Sequence, residues 1–211
     1  MRPIGERDSL ATVFTPDYGL MRGVMRAAQI AKKNRPLIGQ LGAVSWNARL
    51  DSQLGAFHWE AEKNLSAPLI TNPAGLSLMN SAFELLCTLL PEREKFEHLY
   101  DATISMLAQL ATPTARDDYM QWEIALLRDA GYALDLTRCS GCGATADLNY
   151  ISPRTGRAVC DACAAPYITR LYKLPINLDI TMKFLSGACA QQGAQMPNAR
   201  IFIMRKQPHA A

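Results

Sequence analysis

Four cysteines carry the chemistry most open to reading in this 211-residue sequence: Cys139-Ser-Gly-Cys142 and Cys160-Asp-Ala-Cys163, two C-x-x-C pairs with seventeen residues between them. Two intervening residues let a tight turn aim both sulfurs at one ion, and a second such turn completes a tetrahedron. This spacing predicts a four-thiolate structural zinc site. Gly141 and Gly143 are available for the unusual backbone angles that the first turn needs. The intervening segment reads as strand (Leu148 to Ile151), turn (Ser152-Pro-Arg-Thr-Gly156) and strand (Arg157 to Val159), the pattern of a zinc ribbon.

Other chemistries fit less well. A structural disulfide adds about 2–4 kcal/mol, against roughly 10–16 kcal/mol for structural zinc, and is disfavoured in a reducing compartment. A redox pair requires one C-x-x-C at a helix start in a βαβ context, whereas the two pairs here are expected at the tips of a hairpin. A zinc deaminase would add an H-x-E element. His58, His98 and His209 supply none, and four thiolates leave no open position for a reactive water. The remaining cysteines need no chemical role: Cys87 is expected as a buried thiol on a helix stripe, and Cys189 at a helix end.

The elements that must hold this site change character along the chain. Before residue 70, short β-branched and aromatic runs alternate with turn residues: Leu10 to Thr15, Leu20 to Ala27, Ala43 to Leu50 and Ala56 to Glu60, the first stopping at Pro16-Asp17-Tyr18-Gly19. Four such strands without a long helix predict a small β-barrel. From Pro73 the period becomes helical. Leu76, Met79, Phe83, Leu86 and Leu90 form one stripe, ended by Pro91-Glu92, which could open the next helix. Leu99, Thr103, Met106, Leu107 and Leu110 form a second, and a third helix runs from Ala115 through Trp122, Leu126 and Leu127 to Gly131. Tyr167 to Leu185 reads as helical apart from a break at Pro175. The last twenty-five residues, with Gly187, Gly193, Pro197 and Pro208, are expected to be loosely held.

Composition agrees with an ordinary globular chain, at 49% hydrophobic and 19% charged residues. No apolar run is long enough for a membrane span, and Glu6, Arg7 and Asp8 follow the start directly, so a cytoplasmic location is expected. A net charge of +3 permits a polyanionic partner without requiring one.

Several motifs in order resemble a known family. Asp8-Ser-Leu-Ala-Thr-Val-Phe-Thr-Pro-Asp-Tyr-Gly19, Ala48-Arg-Leu-Asp-Ser-Gln-Leu-Gly55, Leu90-Pro-Glu-Arg-Glu94, Leu134-Asp-Leu-Thr-Arg-Cys139 and Tyr150-Ile-Ser-Pro-Arg-Thr-Gly-Arg-Ala-Val159 together are similar to RecO, the bacterial recombination mediator. The resemblance spans roughly residues 5 to 186. It implies a multi-domain α+β chain: an OB-fold nucleic-acid-binding barrel over 1–70, then a helical domain over 71–211 containing the zinc element at 136–166. Met1-Arg-Pro-Ile-Gly-Glu6 resembles only the end of the family's first strand and the turn after it. A start upstream of Met1, or a barrel short of that strand, is therefore expected.

The resemblance further implies a protein without bond chemistry, acting in DNA damage repair and recombination. Such proteins bind single- and double-stranded DNA, pair with RecR, engage the C-terminal tail of single-strand-binding protein, help load RecA on coated strands and anneal complementary strands. They are cytoplasmic and nucleoid-associated. Against that background, Arg22, Arg26, Lys32, Lys33 and Arg35 gather without an intervening acid, and Arg49 follows, as a phosphate-tracking groove requires. Read alone, the same stretch is a solvated loop. Base-stacking platforms could come from Phe14, Tyr18, Trp46, Phe57 or Trp59, with Trp46 the candidate carried forward, and most of the others serving as core. Arg154, Arg157, Arg170 and Lys173 flank the zinc element as a second candidate phosphate contact. Two alternatives stay open: a barrel-plus-ribbon protein acting on RNA, and an enzyme, either a C-x-x-C thiol oxidoreductase or a hydrolase.

Overall fold

The structure, a computed structural model, describes residues 2–4, 8–26, 36–48, 50 and 54–205. Its N-terminal part is a five-stranded sheet: β1 (Arg2–Ile4), β2 (Asp8–Thr15), β3 (Gly19–Met25), β4 (Gln40–Asn47) and β5 (Gly55–Asn64), in the spatial order β1-β2-β3-β5-β4. All neighbours are antiparallel except β3 and β5, which run parallel. Five paired strands correct the expectation of a barrel short of its first strand. Three residues suffice to pair Arg2 with Leu10 and Ile4 with Asp8, and Pro3 is tolerated because β1 ends the strand order.

Side-chain alternation gives this sheet two apolar faces. On one side Ala11, Met25, Phe57 and Trp59 bury together, with Val13, Met21, Val44 and Trp46 packed around them. On the other side Phe14 and Leu20 point toward the helices and join their core. At the β2–β3 turn Gly19 takes φ +59°, and a Cβ there would stand 1.8 Å from the Glu94 carbonyl oxygen. Glycine at position 19 is therefore what allows the two parts of the chain to touch.

Three helices follow: α1 (Pro73–Leu89), α2 (Glu97–Gln109) and α3 (Ala115–Asp129). Pro73 occupies the first turn of α1, where its missing N–H costs nothing, and the Asn72 side chain accepts from Gly75 N at 3.0 Å. The stripe Leu78, Ala82, Leu85, Leu86 and Leu89 is buried against Leu99, Leu107, Tyr119, Trp122 and Leu126. Replacing one of these leucines by alanine costs about 2–5 kcal/mol. Among the polar atoms of this interior, Trp122 Nε1 donates to Thr103 Oγ1 at 2.9 Å, and Ser81 Oγ lies 2.6 Å from the Tyr119 hydroxyl.

Residues 91–96 do not open α2, contrary to expectation. Glu92 bridges Leu20 of β3, Arg93 N donates to Leu20 O at 2.8 Å, and Arg93 takes φ +62°. The segment is a strap that closes the helices onto the sheet, so α2 begins only at Glu97.

The C-terminal part departs furthest from the sequence reading. Tyr167 to Leu185 is not one broken helix: Ala165–Arg170 is a 3₁₀ stretch, β8 (Tyr172–Lys173) joins a second sheet, and α5 (Leu178–Gln191) starts after Pro175. Pairing wins there, since Leu174 N also donates to Asn149 O. The described part of the tail, up to Arg205, is mostly helical rather than loose. Helix α6 (Asn198–Arg205) packs on α1, with Ile203 and Arg200 buried. Arg200 donates through Nε to Glu123 Oε1 of α3, and through Nη2 to Glu123 Oε2 at 3.0 Å and Leu178 O at 2.8 Å. Thr181 Oγ1 completes the carboxylate's shell. This ion pair is invisible in sequence because its members lie 77 positions apart.

Candidate metal centre and nucleic-acid surface

The segment that carries the four cysteines folds as β6 (Tyr150–Ile151), β7 (Ala158–Val159) and β8, in the order β7-β6-β8. The first cysteine pair sits in the loop before β6. Gly143, at φ +78°, donates to Cys139 O at 2.9 Å, and Cys139 N donates to Ala144 O at 2.7 Å, which folds the loop back on itself. The second pair is not at a hairpin tip: Cys160 follows β7 and caps the single turn α4 (Asp161–Ala164), where Ala164 N donates to Cys160 O at 2.9 Å. Ser140 N, donating to Ala158 O at 2.8 Å, ties the first loop to the second.

These contacts bring the four sulfurs within 4.8 Å of one another, with Cys142 and Cys160 at 3.6 Å. A zinc tetrahedron with bonds of about 2.3 Å has edges of about 3.8 Å, whereas a disulfide requires about 2.0 Å. The spacing fits a metal and not a bridge. Backbone N–H groups of Cys160, Cys142 and Gly141 point at Cys139 Sγ and pull its thiol down to about 6. The crowding sulfurs of Cys142, Cys160 and Cys139 push Cys163 up to about 12. Four thiolates this close repel one another, and a divalent cation at their centre is the charge that reconciles them. The residues fit a closed four-sulfur site, with no position left for a reacting water.

Little besides that site holds the segment. Its own buried cluster is Cys139, Val159, Cys160 and Ala164, ringed by Leu148, Tyr150, Cys163 and Leu171. Asn149 Nδ2 clamps the Asp161 carboxylate at 2.9 and 3.1 Å. On the side of the helices, Tyr172 meets Phe184 of α5 edge-on at 6.0 Å, and Lys183 lies 4.3 Å from the centre of the Tyr172 ring. Cys87 is exposed on α1 rather than buried, because it lies off the stripe, while Cys189 is buried near the end of α5 as expected.

The expected nucleic-acid residues divide. Lys32, Lys33, Arg35 and Arg49 lie outside the described residues. Arg26 is exposed at the end of β3. Arg22 is half-exposed and paired with Glu92 of the strap at 2.9 Å, so part of its charge is already answered. Trp46 is no open platform. Its ring lies against Gly55, where a Cβ would come within 2.3 Å of Cε2, its Nε1 donates to Arg22 O at 3.0 Å, and the Arg93 guanidinium stands 4.9 Å from its centre. Phe57 and Trp59 are core, and Phe14 packs on Tyr100 at 5.6 Å. Tyr18 alone of the five is prominently exposed, at 66%. The role of Glu92 and Arg93 had no signal in spacing, because only folding brings the strap to the sheet.

A groove of about 780 Å³ between α2 and α3 is lined by Met106, Trp122, Gln109, Thr114 and Asp118 among others. Its lining holds an acid and no cation, so it does not match a receptor for an acidic peptide.

Residues 71–192 match the family model described as "Recombination protein O C terminal". The chain is 39% identical over 178 residues to the "DNA repair protein RecO" of Rhodospirillum centenum, covering 82% of this chain and 71% of that protein. It is 37% identical over 224 residues to the protein of the same name in Cereibacter sphaeroides, covering 97% and 92%. With that of Sinorhizobium medicae it shares 37% identity over 193 residues, covering 89% and 73%.

Proposed function

This chain belongs to the RecO family, and we propose on that premise that it is a non-catalytic mediator of recombinational DNA repair. In this reading it binds single- and double-stranded DNA, anneals complementary strands and assists RecA on strands coated by single-strand-binding protein. RecR and the acidic C-terminal tail of single-strand-binding protein are its direct partners, and it works in the cytoplasm at the nucleoid. No helix among the described residues is long and apolar enough to cross a membrane.

The observation that carries the reading is the N-terminal sheet. The order β1-β2-β3-β5-β4, with β3 parallel to β5, supports reading this sheet as a five-stranded Greek-key barrel of the OB type, a fold used repeatedly to bind oligonucleotides. The chain then divides near residue 70 into this barrel and a helical unit carrying the zinc element. Zinc, held by Cys139, Cys142, Cys160 and Cys163, supplies structure there and no reaction. Arg26, with Lys32, Lys33, Arg35 and Arg49, supplies the cationic path for the phosphates, and Arg22 serves mainly to hold the strap.

The test is a single-strand DNA titration at two salt concentrations, with elemental analysis of the same sample. We expect salt-sensitive binding and one zinc per chain. Salt-independent or absent binding removes the proposal. A preference for RNA over DNA of equal length favours the barrel-plus-ribbon RNA protein, and oxidised sulfur pairs without metal favour the thiol enzyme.

A further inference from the structure

The second sheet has two ends, and its register places three arginines at one of them. Pairing of Tyr150 with Lys173 and Ile151 with Tyr172 runs β8 antiparallel to β6, so the start of β8, just after Arg170, lies at the end of the sheet where β6 passes into the turn that holds Arg154. Pairing of Tyr150 with Val159 and Ile151 with Ala158, extended by Ser152 N donating to Arg157 O at 2.9 Å, brings Arg157 to the same end. Arg154, Arg157 and Arg170 are all exposed, and none joins a salt bridge among the described residues. The nearby acid is Asp135, whose Oδ1 is held by Thr137 and which feels both Arg138 and Arg157, so positive charge remains in excess.

Beside this cluster the 3₁₀ stretch Ala165–Arg170 buries none of its residues. Tyr167 is 55% exposed and Ile168 49%, an uncommon way to spend a tyrosine and an isoleucine that cover no core. Cations that answer phosphates, next to an open aromatic ring that can stack a base, are what a single-strand contact requires. We propose that this end of the zinc element is a second single-strand binding surface, with Tyr167 stacking a base and Arg154, Arg157 and Arg170 holding the backbone. Annealing brings two strands together, which two surfaces on one molecule would favour, and the inference rests on the reading above in which the barrel holds the first. The metal site then has a function-bearing consequence, since it fixes the 3₁₀ stretch through Cys163, four residues before Tyr167.

The experiment compares the full chain with Tyr167→Ala/Arg170→Ser and with Arg154→Ser/Arg157→Ser, after zinc content shows that each variant is folded. Affinity is read with a short labelled oligothymidylate, and annealing with two complementary oligonucleotides labelled for energy transfer. We expect single-strand affinity within about twofold of the parent, and annealing slowed by about tenfold or more, the size of effect that one lost stacking contact allows. Unchanged annealing by both zinc-replete variants overturns the second surface and leaves the barrel reading in place. Loss of oligothymidylate binding in step with annealing overturns it too, by making this the primary site. A parent chain that binds no oligonucleotide sinks the underlying reading instead.

Discussion

Removal of one zinc ligand should dismantle the zinc element and leave the helices standing. In Cys139→Ala the lost sulfur is the one toward which the N–H groups of Cys160, Cys142 and Gly141 converge, so both loops lose their shared anchor. The magnitude follows from how little else is buried. Besides the cysteines, the element buries Ile151, Ala158, Val159 and Ala164, and a buried valine or isoleucine contributes about 1.5–3 kcal/mol. A metal term of roughly 10–16 kcal/mol exceeds what these few side chains contribute together. The helical core has no such need, with its leucine stripes, Tyr119 and Trp122 buried independently of the cysteines.

The assay can separate the two parts because the tryptophans stand at 46, 59 and 122, and none lies in the element. In Cys139→Ala, or after chelation, trypsin should cut rapidly at Arg154, Arg157 and Arg170 while tryptophan emission and its melting transition stay near the parent values. A shift of the tryptophan transition in parallel with zinc loss would refute the claim of independent cores. Unchanged trypsin resistance in a zinc-free variant would refute the claim that metal holds the element.

Other perturbations test separate links. Charge reversal in Arg26→Glu should weaken single-strand binding and lower the slope of log affinity against log salt by about 1, measured by anisotropy titration. Glu123→Ala strands the buried Arg200 guanidinium and should cost about 3–5 kcal/mol by urea unfolding. Glu123→Leu combined with Arg200→Met should cost less than either single change, since an apolar pair replaces a buried ionic one. Zinc affinity, measured by chelator competition, should fall as pH falls, because protons compete with the metal for the four thiolates of Cys139, Cys142, Cys160 and Cys163. Affinity that does not change with pH would contradict a four-thiolate site.

The legible parts of this sequence were those whose signals are local. Leucine periodicity located α1, α2 and α3 because each helix buries one stripe, and C-x-x-C spacing located the sulfurs because two residues make one turn. What stayed hidden depends on partners far away in sequence. Pro91-Glu92 reads as a helix start until Leu20 offers Arg93 a backbone acceptor. Tyr172-Lys173 reads as helix until β6 supplies an open edge. Gly193 and Pro197 suggest a loose tail, yet Arg200 is drawn inward by a carboxylate on α3. Trp46 could not be assigned to a face because Gly55 and Arg93 decide it, one from the neighbouring strand and one from the strap.

The Glu123–Arg200 pair also sets an order of events during synthesis. A carboxylate made at position 123 must wait 77 residues for its guanidinium, an interval of roughly 4–15 s at the pace of translation. Until then an isolated charge sits in the wall of the nascent bundle, and water must stay there to solvate it. The interior can become dry only once α6 has left the ribosome, so a chain truncated before Arg200 should linger as a chaperone client even with every leucine of its core already made.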